Sequence, residues 1–263
     1  MSMLIGCHVA PDDPVGEAKG RTADIAQLML GDPQKWSAPT VVSPGGASAL
    51  REAAATAGVK LVVHAPYLIN VASANNRVRI PSRQLLQKVL DVAATIDALG
   101  VVVHGGSPGP DADPSVGVEN WFKVVDTLSF PVPLLIENSA SGVMTRTLDD
   151  WAALWPGIAG AAGAAHVGVC LDTCHAFAGG LDLTTVADDL RAITGRIDLV
   201  HANDSQGALG SGLDRHANLG QGQIDPGAMI AALTSAHAPV VVETPGSAAA
   251  QAADVAWLRQ RLA

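Results

Sequence analysis

Cysteine is scarce in this chain of 263 residues, which contains Cys7, Cys170 and Cys174 and no others. An odd and small number of cysteines does not make a disulfide framework in a chain of this length. The sequence also lacks an uncharged apolar run of about 18 residues, which could span a bilayer. Its opening, MSMLIGCHV, has neither the basic start nor the long apolar stretch of a secretory signal. We therefore expect a cytoplasmic protein that does not bind a membrane.

Basic residues are outnumbered as well. The chain has 16 Lys and Arg against 25 Asp and Glu, which gives a formal net charge of −9. Binding to nucleic acid is driven largely by Lys and Arg that neutralise phosphates. The charge alone therefore argues against a polyanionic partner, unless positive charge comes from elsewhere.

Apolar residues are abundant, at 48% of the chain, and many fall in eight short runs of strand length. Most of these runs are rich in valine and isoleucine without polar alternation, as in strands buried on both faces of a parallel sheet. The eight predicted strands lie at residues 4–9, 25–30, 60–65, 100–105, 132–138, 166–172, 197–202 and 239–245.

Helix signals lie between several of these runs. Residues 82–100 repeat their apolar side chains at helical spacing and end in the stop signal Gly100. Thr147 begins a capping-box pattern, and Asp225 is an N-cap followed by proline. Strands and helices that alternate over this length predict one (β/α)₈ TIM barrel domain, residues 1–263. A doubly wound open sheet is the alternative.

Seven of the eight apolar runs carry a His, Asp or Glu at or near the carboxyl end. A single such residue is more often a structural cap, but in a barrel all eight carboxyl ends meet on one face. Seven polar residues in register therefore predict one shared site. They are His8, His64, His104, Glu137, Asp172, His201 and Glu243.

The chemistry of this set points to metal. Imidazole nitrogen and carboxylate oxygen suit Zn²⁺ or Mn²⁺ in an open catalytic site, and carboxylates buried together without cations would repel one another. His175 follows Asp172 by three residues, and Asp214 and His216 are two residues apart in a long polar loop. These three side chains would complete a separate site. Nine ligands would serve about three divalent ions, and clusters of two or more metals are typical of enzymes that hydrolyse phosphoesters.

Three other residues near the set are candidates for a supporting role. Cys170 and Cys174 flank Asp172, and strand alternation turns Cys170 to the same side as Asp172. We predict that both are small buried hydrophobic residues, because oxygen and nitrogen ligands already suffice. His8 is predicted to contact the ligands rather than the metal.

Seven features together resemble the endonuclease IV family of apurinic/apyrimidinic endonucleases, and the shorter bacterial members in particular. They are HAPYLIN (64–70), the glycine after His104, EN (137–138), GVCLDTCHAF (168–177), HANDS (201–205), DRHANLGQG (214–222) and ET (243–244). The resemblance implies a barrel of the xylose-isomerase-like superfamily with three Zn²⁺ per chain, Mn²⁺ being an alternative at one or more sites. It also implies hydrolysis of DNA 5′ to an abasic site, leaving a 3′-hydroxyl and a 5′-deoxyribose phosphate, and removal of blocked 3′ ends.

Carried over to this sequence, the resemblance implies that His64 and His104 hold one zinc and that Glu137 bridges it to a second. A bridging hydroxide positioned by Glu137 would be the nucleophile, and Glu243 also belongs to the catalytic set. The remaining ligands are Asp172, His201 and Glu243 for the second zinc and His175, Asp214 and His216 for the third.

The same resemblance implies contacts with double-stranded DNA. Tyr67 and Leu68 match side chains that enter the minor groove. Apart from the resemblance, Arg77 and Arg79 in the basic segment NRVRIPSR are candidates for phosphate contacts, a solvated surface being the alternative. Gln34 stands where some members have an arginine, so the details of lesion insertion differ here. Three divalent ions would bring the net charge from −9 to about −3, which weakens the charge objection. We expect a monomer that acts on bacterial DNA without an obligate protein partner.

Two alternatives remain at this point. A metal-dependent sugar isomerase or epimerase also uses Glu, Asp and His at the strand ends of a barrel, but with one or two metals and no third site. A non-catalytic lesion-binding protein on the same fold is the other alternative, and the intact ligand set speaks against it. Counting metals per chain and testing cleavage with and without a chelator separate these hypotheses.

Overall fold

The eight predicted strands all form and close into a parallel barrel. A computed structural model describes residues 3–32 and 34–262. The barrel strands are β1 Ile5–His8, β2 Ile25–Met29, β3 Lys60–His64, β4 Val101–His104, β5 Leu134–Glu137, β6 Val167–Asp172, β7 Leu199–His201 and β10 Val240–Val242; β8 Asp204–Ser205 and β9 His216–Ala217 lie outside the barrel. Each barrel strand hydrogen-bonds to two neighbours, in the order β1-β10-β7-β6-β5-β4-β3-β2. The closed barrel confirms the (β/α)₈ fold and rules out the open sheet, while the assignment of residues 1–263 to a single domain stays a prediction.

Helices cover the outside of the barrel. No helix in the described part of the chain is both long enough and apolar enough to cross a membrane. The helices are α1 Pro14–Gly20, α2 Gly46–Ala57, α3 Asn76–Thr95, α4 Pro114–Thr127, α5 Leu148–Ala159, α6 Thr173–Gly179, α7 Val186–Thr194, α8 Pro226–Ala236 and α9 Ala248–Arg261, with a short 3₁₀ turn at Ala164–His166.

Two of the predicted helix starts are confirmed in detail. The Thr147 hydroxyl accepts a hydrogen bond from the Asp150 backbone N–H, and the Asp150 carboxylate accepts one from the Thr147 backbone N–H. Asp225 caps α8 by accepting from the Ala228 N–H at 2.9 Å. Local side-chain chemistry therefore fixes where α5 and α8 begin.

The predicted helix at residues 82–100 is wrong at both ends. It begins earlier because the Asn75 side chain accepts a hydrogen bond from the Arg77 N–H. It ends at Thr95, after which Asp97 takes a left-handed φ of 56°. Gly100 is a glycine for another reason: a Cβ there would lie 3.1 Å from the backbone oxygen of Pro133.

The inside of the barrel is filled by a small apolar cluster below the strand ends. Its members are all buried, and they come from seven of the eight barrel strands. The cluster consists of Ile25, Val62, Val102, Leu135, Cys170, Leu199 and Val241. Cys170 therefore points inward as predicted, and the apolar plug leaves only the mouth of the barrel for polar side chains.

The long polar segment between β7 and α8 has structure of its own. Its two short strands, β8 and β9, pair antiparallel with each other. The buried Asp204 carboxylate accepts hydrogen bonds from the backbone N–H groups of Gly220, Gly222 and Ile224 at 2.9–3.0 Å. This carboxylate ties the segment into a loop that folds back over the barrel mouth.

Candidate metal centre

The strand ends bring several of the predicted ligands together at the mouth of the barrel. His104 is paired with Glu137 across β4 and β5, and Asp172 is paired with His201 across β6 and β7. His64 ends β3, beside β4. The register is staggered elsewhere, since His64 pairs with Val102 and Glu137 pairs with Cys170. The carboxyl ends of all the barrel strands nevertheless open on one face, so residues far apart in sequence become neighbours at the mouth.

Glu137 occupies the middle of this assembly and is fully buried. One carboxylate oxygen, Oε2, lies 3.1 Å from His104 Nε2 and 3.4 Å from His64 Nε2. The other, Oε1, lies 2.9 Å from His201 Nδ1 and 3.4 Å from His175 Nδ1. The two oxygens thus face different sets of histidines, which is the geometry that a bridging ligand needs.

The structure brings all nine predicted ligands into groups whose donor atoms lie within 4.8 Å of one another. The first two groups match the predicted ones. The third predicted group, His175, Asp214 and His216, is divided between two overlapping groups that share His216. One also contains Asp172, and the other also contains Cys174. The groups are His64, His104 and Glu137; Glu137, Asp172, His201 and Glu243; Asp172, His175 and His216; and Cys174, Asp214 and His216.

Asp214 links the third group to the loop. Its Oδ1 lies 3.2 Å from His175 Nε2 and 3.4 Å from His216 Nε2. Asp172 Oδ2 lies 3.8 Å from His216 Nε2 and 4.0 Å from His201 Nδ1, between the second and third groups. The third site is therefore contiguous with the second rather than separate from it.

Three of the histidines are oriented by backbone oxygens. His64 Nδ1 lies 2.7 Å from the Ala65 oxygen, His175 Nδ1 lies 3.0 Å from the Asn138 oxygen, and His216 Nδ1 lies 3.3 Å from the Glu243 oxygen. A ring nitrogen that donates to a carbonyl leaves the other nitrogen as the ligand atom. In each case the free nitrogen, Nε2, faces the carboxylates.

The donor set fits divalent cations. In the described part of the chain, His216 Nε2 is one of the few buried side-chain nitrogens without a hydrogen-bond partner. A buried polar atom without a partner is costly, and Glu137 and Asp172 add buried negative charge beside it. Divalent cations bound among these side chains would pair His216 Nε2 and neutralise both carboxylates.

Neither cysteine favours a thiolate ligand. Burial raises the pKa of the Cys170 thiol to about 12, and Cys170 belongs to the apolar plug. Burial also raises the pKa of the Cys174 thiol to about 12, and its sulfur lies 3.8 Å from the Arg215 oxygen. Cys174 is nevertheless near enough to Asp214 and His216 to join their group.

Charge coupling dominates the pKa values of the metal-free cluster. Burial opposes the charged form of His216, but Asp214 and Asp172 outweigh it and raise the pKa of His216 to about 9. Burial likewise opposes ionisation of Glu243, and His201 and His64 lower its pKa to about 2. Protons on the imidazoles thus supply the positive charge that the carboxylates require.

We expect the metal-free protein to lose thermal stability as the pH rises from about 6.5 to about 9. Folding raises the pKa of His216 from 6.5 to about 9, so the protonated imidazole stabilises the folded state. This stabilisation is fully present below pH 6.5 and is lost as the pH rises through about 9. Unfolding temperatures in chelator across this range should fall by at least a few degrees. Metal-loaded protein, whose imidazoles are neutral ligands, should change much less, and equal slopes for the two forms would contradict this account.

Three buried amides around the centre were not identified from the sequence. Asn203 Nδ2 donates to Asp172 Oδ2 at 2.7 Å, and Asn138 Oδ1 accepts from the Asp172 N–H at 2.6 Å. Gln27 of β2 contacts both His201 and Glu243. Two sequence features could have indicated them. Gln27 is the one polar residue in the apolar run IAQLML, and the two asparagines lie next to or near predicted ligands in EN and HAND.

The remaining predicted residues lie at varying distances from the ligands. His8 lies beside the ligands, with Nδ1 3.8 Å from Glu243 Oε1. Tyr67 is 58% exposed, and its ring lies 5.4 Å from that of His64, whereas Leu68 is half-buried and packs on the core. Gln34 is exposed in the loop after β2.

The two arginines differ in what they contact. Arg77 is exposed in the first turn of α3. Arg79 donates from its guanidinium to the backbone oxygens of Ser73 and Ala74 and to the Asn76 side chain. Arg77 is thus the better placed of the two for an external partner.

An open cavity of about 480 Å³ lies over the centre. Its walls include Tyr67, Arg215 and four of the metal-group histidines, which are His64, His104, His175 and His216. The cavity gives a large polar substrate direct access to the candidate ligands.

Comparison with known proteins agrees with this geometry. A profile described as "Xylose isomerase-like TIM barrel" matches residues 18–261. The chain is 49% identical over 262 residues to "Probable endonuclease 4" of Mycobacterium marinum, which covers 99% of each protein. The chain belongs to the endonuclease IV family. The family resemblance found in the sequence motifs is thereby confirmed.

Solved structures place this endonuclease IV family member among xylose-isomerase-like barrels. The crystal structure of endonuclease IV from Thermus thermophilus superposes with a TM-score of 0.83 at 30% identity, covering 98% of both chains. A D-tagatose 3-epimerase-like protein superposes with a TM-score of 0.78 at 21% identity, covering 99% of this chain and 97% of that one. At that identity the epimerase-like structure shows the shared fold alone.

Proposed function

We propose that this chain is a zinc-dependent apurinic/apyrimidinic endonuclease. It hydrolyses the phosphodiester 5′ to an abasic site in double-stranded DNA, leaves a 3′-hydroxyl and a 5′-deoxyribose phosphate, and removes blocked 3′ ends. The observation that carries this proposal is the position of Glu137, whose two oxygens face two different histidine groups in a protein of the endonuclease IV family. It acts as a monomer in the bacterial cytoplasm.

The nine predicted side chains would hold three Zn²⁺, with Mn²⁺ an alternative at one or more sites. Such ions lower the pKa of water, neutralise phosphate charge and stabilise the leaving oxygen. Glu137 divides its two oxygens between the first two groups, and Asp172 lies between the second and third. Three adjacent groups match a phosphodiester, which has an attacked phosphorus, two non-bridging oxygens that share one negative charge, and a leaving oxygen to accommodate.

The walls of the cavity suit a DNA backbone. Tyr67 stands at its edge with most of its ring exposed, so it can contact a duplex without rearrangement of the barrel. Leu68 would have to leave partial packing on the core to do the same. We therefore assign the main contact from this loop to Tyr67, with Arg77 at the start of α3 and Gln34 in the loop after β2 as further contacts.

The test is incision of a duplex that carries one tetrahydrofuran abasic analogue. The analogue cannot undergo β-elimination, so a cut 5′ to it reports hydrolysis. We expect cutting by metal-loaded protein, loss of cutting after dialysis against a strong chelator, and recovery with Zn²⁺. An undamaged duplex of the same sequence is the substrate control, and a 3′-phosphate primer tests the trimming activity.

The outcome that contradicts the proposal is equally specific. Protein shown by elemental analysis to hold its metals, and yet unable to cut the analogue, would favour the sugar isomerase or epimerase alternative. Zinc-independent binding to the abasic duplex without incision would favour the lesion-binding alternative.

A further inference from the structure

The second barrel strand carries a polar group that the proposed ligand set leaves unused. β2 supplies none of the nine ligands, yet it places the side chain of Gln27 at full burial. The other four side chains of this strand, IAQLM, are apolar. A buried amide costs free energy unless its donors and acceptor are paired, so the partners of Gln27 indicate its role.

Gln27 has three polar partners. Its Oε1 lies 2.8 Å from His201 Nε2, and its Nε2 lies 2.6 Å from Glu243 Oε1 and 3.2 Å from His8 Nδ1. A carboxylate only accepts hydrogen bonds, so the amide must turn its NH₂ group toward Glu243. The opposite orientation would set two acceptor oxygens against each other. The partners alone therefore fix how the amide points.

This orientation determines which atoms of the two ligands remain free. Because Gln27 Oε1 can only accept, Nε2 of His201 must carry a proton, which leaves Nδ1 as the nitrogen that can bind a metal ion. That nitrogen lies 2.9 Å from Glu137 Oε1 and 3.2 Å from Glu243 Oε2. Glu243 has its Oε1 engaged by Gln27, so Oε2 is the oxygen that faces His201. The Gln27 amide thus leaves Nδ1 of His201 and Oε2 of Glu243 as the atoms that can bind a metal ion.

We propose that Gln27 is a positioning residue for the second metal group, holding His201 and Glu243 so that His201 Nδ1 and Glu243 Oε2 converge on one ion. The inference rests on the proposed metal centre but not on cleavage of DNA. It also explains why a strand without a ligand carries an amide among its apolar side chains. Partners that orient metal ligands in this way typically contribute 10–100-fold to affinity.

The test compares Gln27→Met with Leu28→Met. Met keeps the length of glutamine and removes its hydrogen bonds, while Leu28 is buried on the same strand and faces the outer core. Zinc is titrated against a chromophoric chelator, and bound metal is counted by elemental analysis. We expect one ion to bind about 10–100-fold more weakly in Gln27→Met, two ions to be unaffected, and Leu28→Met to match the parent protein. Parent affinity at all three sites in Gln27→Met overturns the proposal.

A measurement on the parent protein keeps the proposal testable if Gln27→Met does not fold. Long-range ¹H–¹⁵N spectra of the zinc-loaded protein report which ring nitrogen of each histidine holds a proton. We expect His201 to be protonated at Nε2 and metal-bound at Nδ1. Metal at Nε2 of His201 would show that Gln27 does not set its orientation.

The metal titration uses no DNA, so the two proposals can fail separately. Protein that binds three ions and shows the Gln27 effect, but cuts no abasic duplex, contradicts the proposed activity and supports this inference. Protein that cuts the duplex with zinc, while Gln27→Met binds all three ions normally, contradicts this inference and supports the activity.

Discussion

Replacing Glu137 with glutamine is expected to leave the barrel folded and to lower the rate of abasic-site incision by at least about 10²–10³-fold, the order of loss when one electrostatic stabiliser of a transition state is removed. Glutamine has the same shape but lacks the negative charge, and one of its two positions becomes an NH₂ donor. In the parent protein both oxygens are used, one toward His104 and one toward His201. Whichever way the amide is oriented, only one of the two histidine groups would face an oxygen.

The measurement is single-turnover incision of the tetrahydrofuran duplex, with far-ultraviolet circular dichroism as the check on folding. Glu119→Gln is the matched control, because Glu119 is an exposed carboxylate of α4 that contacts Lys123. That variant should cut at the parent rate. Near-normal incision by Glu137→Gln would remove Glu137 from the bridging position and with it the main support for the proposed chemistry.

The strand ends were predictable because charge stands out in apolar runs. His64, His104 and Glu137 each end a buried strand, and a barrel brings all strand ends to one face. That rule predicts one shared site at the mouth, whereas the division of its residues into separate metal groups was implied by the resemblance to the endonuclease IV family. The third group was predicted less completely, because its neighbours depend on the fold of the loop that carries Asp214 and His216.

The residues that could not be predicted from the sequence were mainly neutral polar ones. Gln27, Asn138 and Asn203 all contact ligand residues, but an amide in a sequence is as consistent with a turn or a cap as with an orienting contact. Their partners come from other strands and are distant in the chain, so no local pattern reveals them. The start of α3 was missed for a related reason, since the capping role of Asn75 depends on a backbone conformation.

Replacing Asp204 with alanine is expected to lower the free energy of unfolding by about 3–5 kcal/mol, because several backbone donors would lose their partner at a cost of about 1–3 kcal/mol each. The Asp204 carboxylate is fully buried and accepts hydrogen bonds from four backbone N–H groups, those of Ser205, Gly220, Gly222 and Ile224. Alanine would leave these donors without partners inside the protein. The loss is a large fraction of a typical stability of about 5–15 kcal/mol.

The matched control for this variant is Asp225→Ala, in which the same residue type caps α8 through one backbone N–H. Removing such a cap costs about 1 kcal/mol, so urea unfolding followed by tryptophan fluorescence should separate the two variants. Asp204→Ala should also weaken metal binding at the third group, because Asp204 holds the loop whose β9 strand contains His216. Asp204→Ala could instead lose only about as much unfolding free energy as the control and bind metal normally at the third group. That result would show that other contacts hold the loop, because a loop held by Asp204 must lose stability and metal binding together.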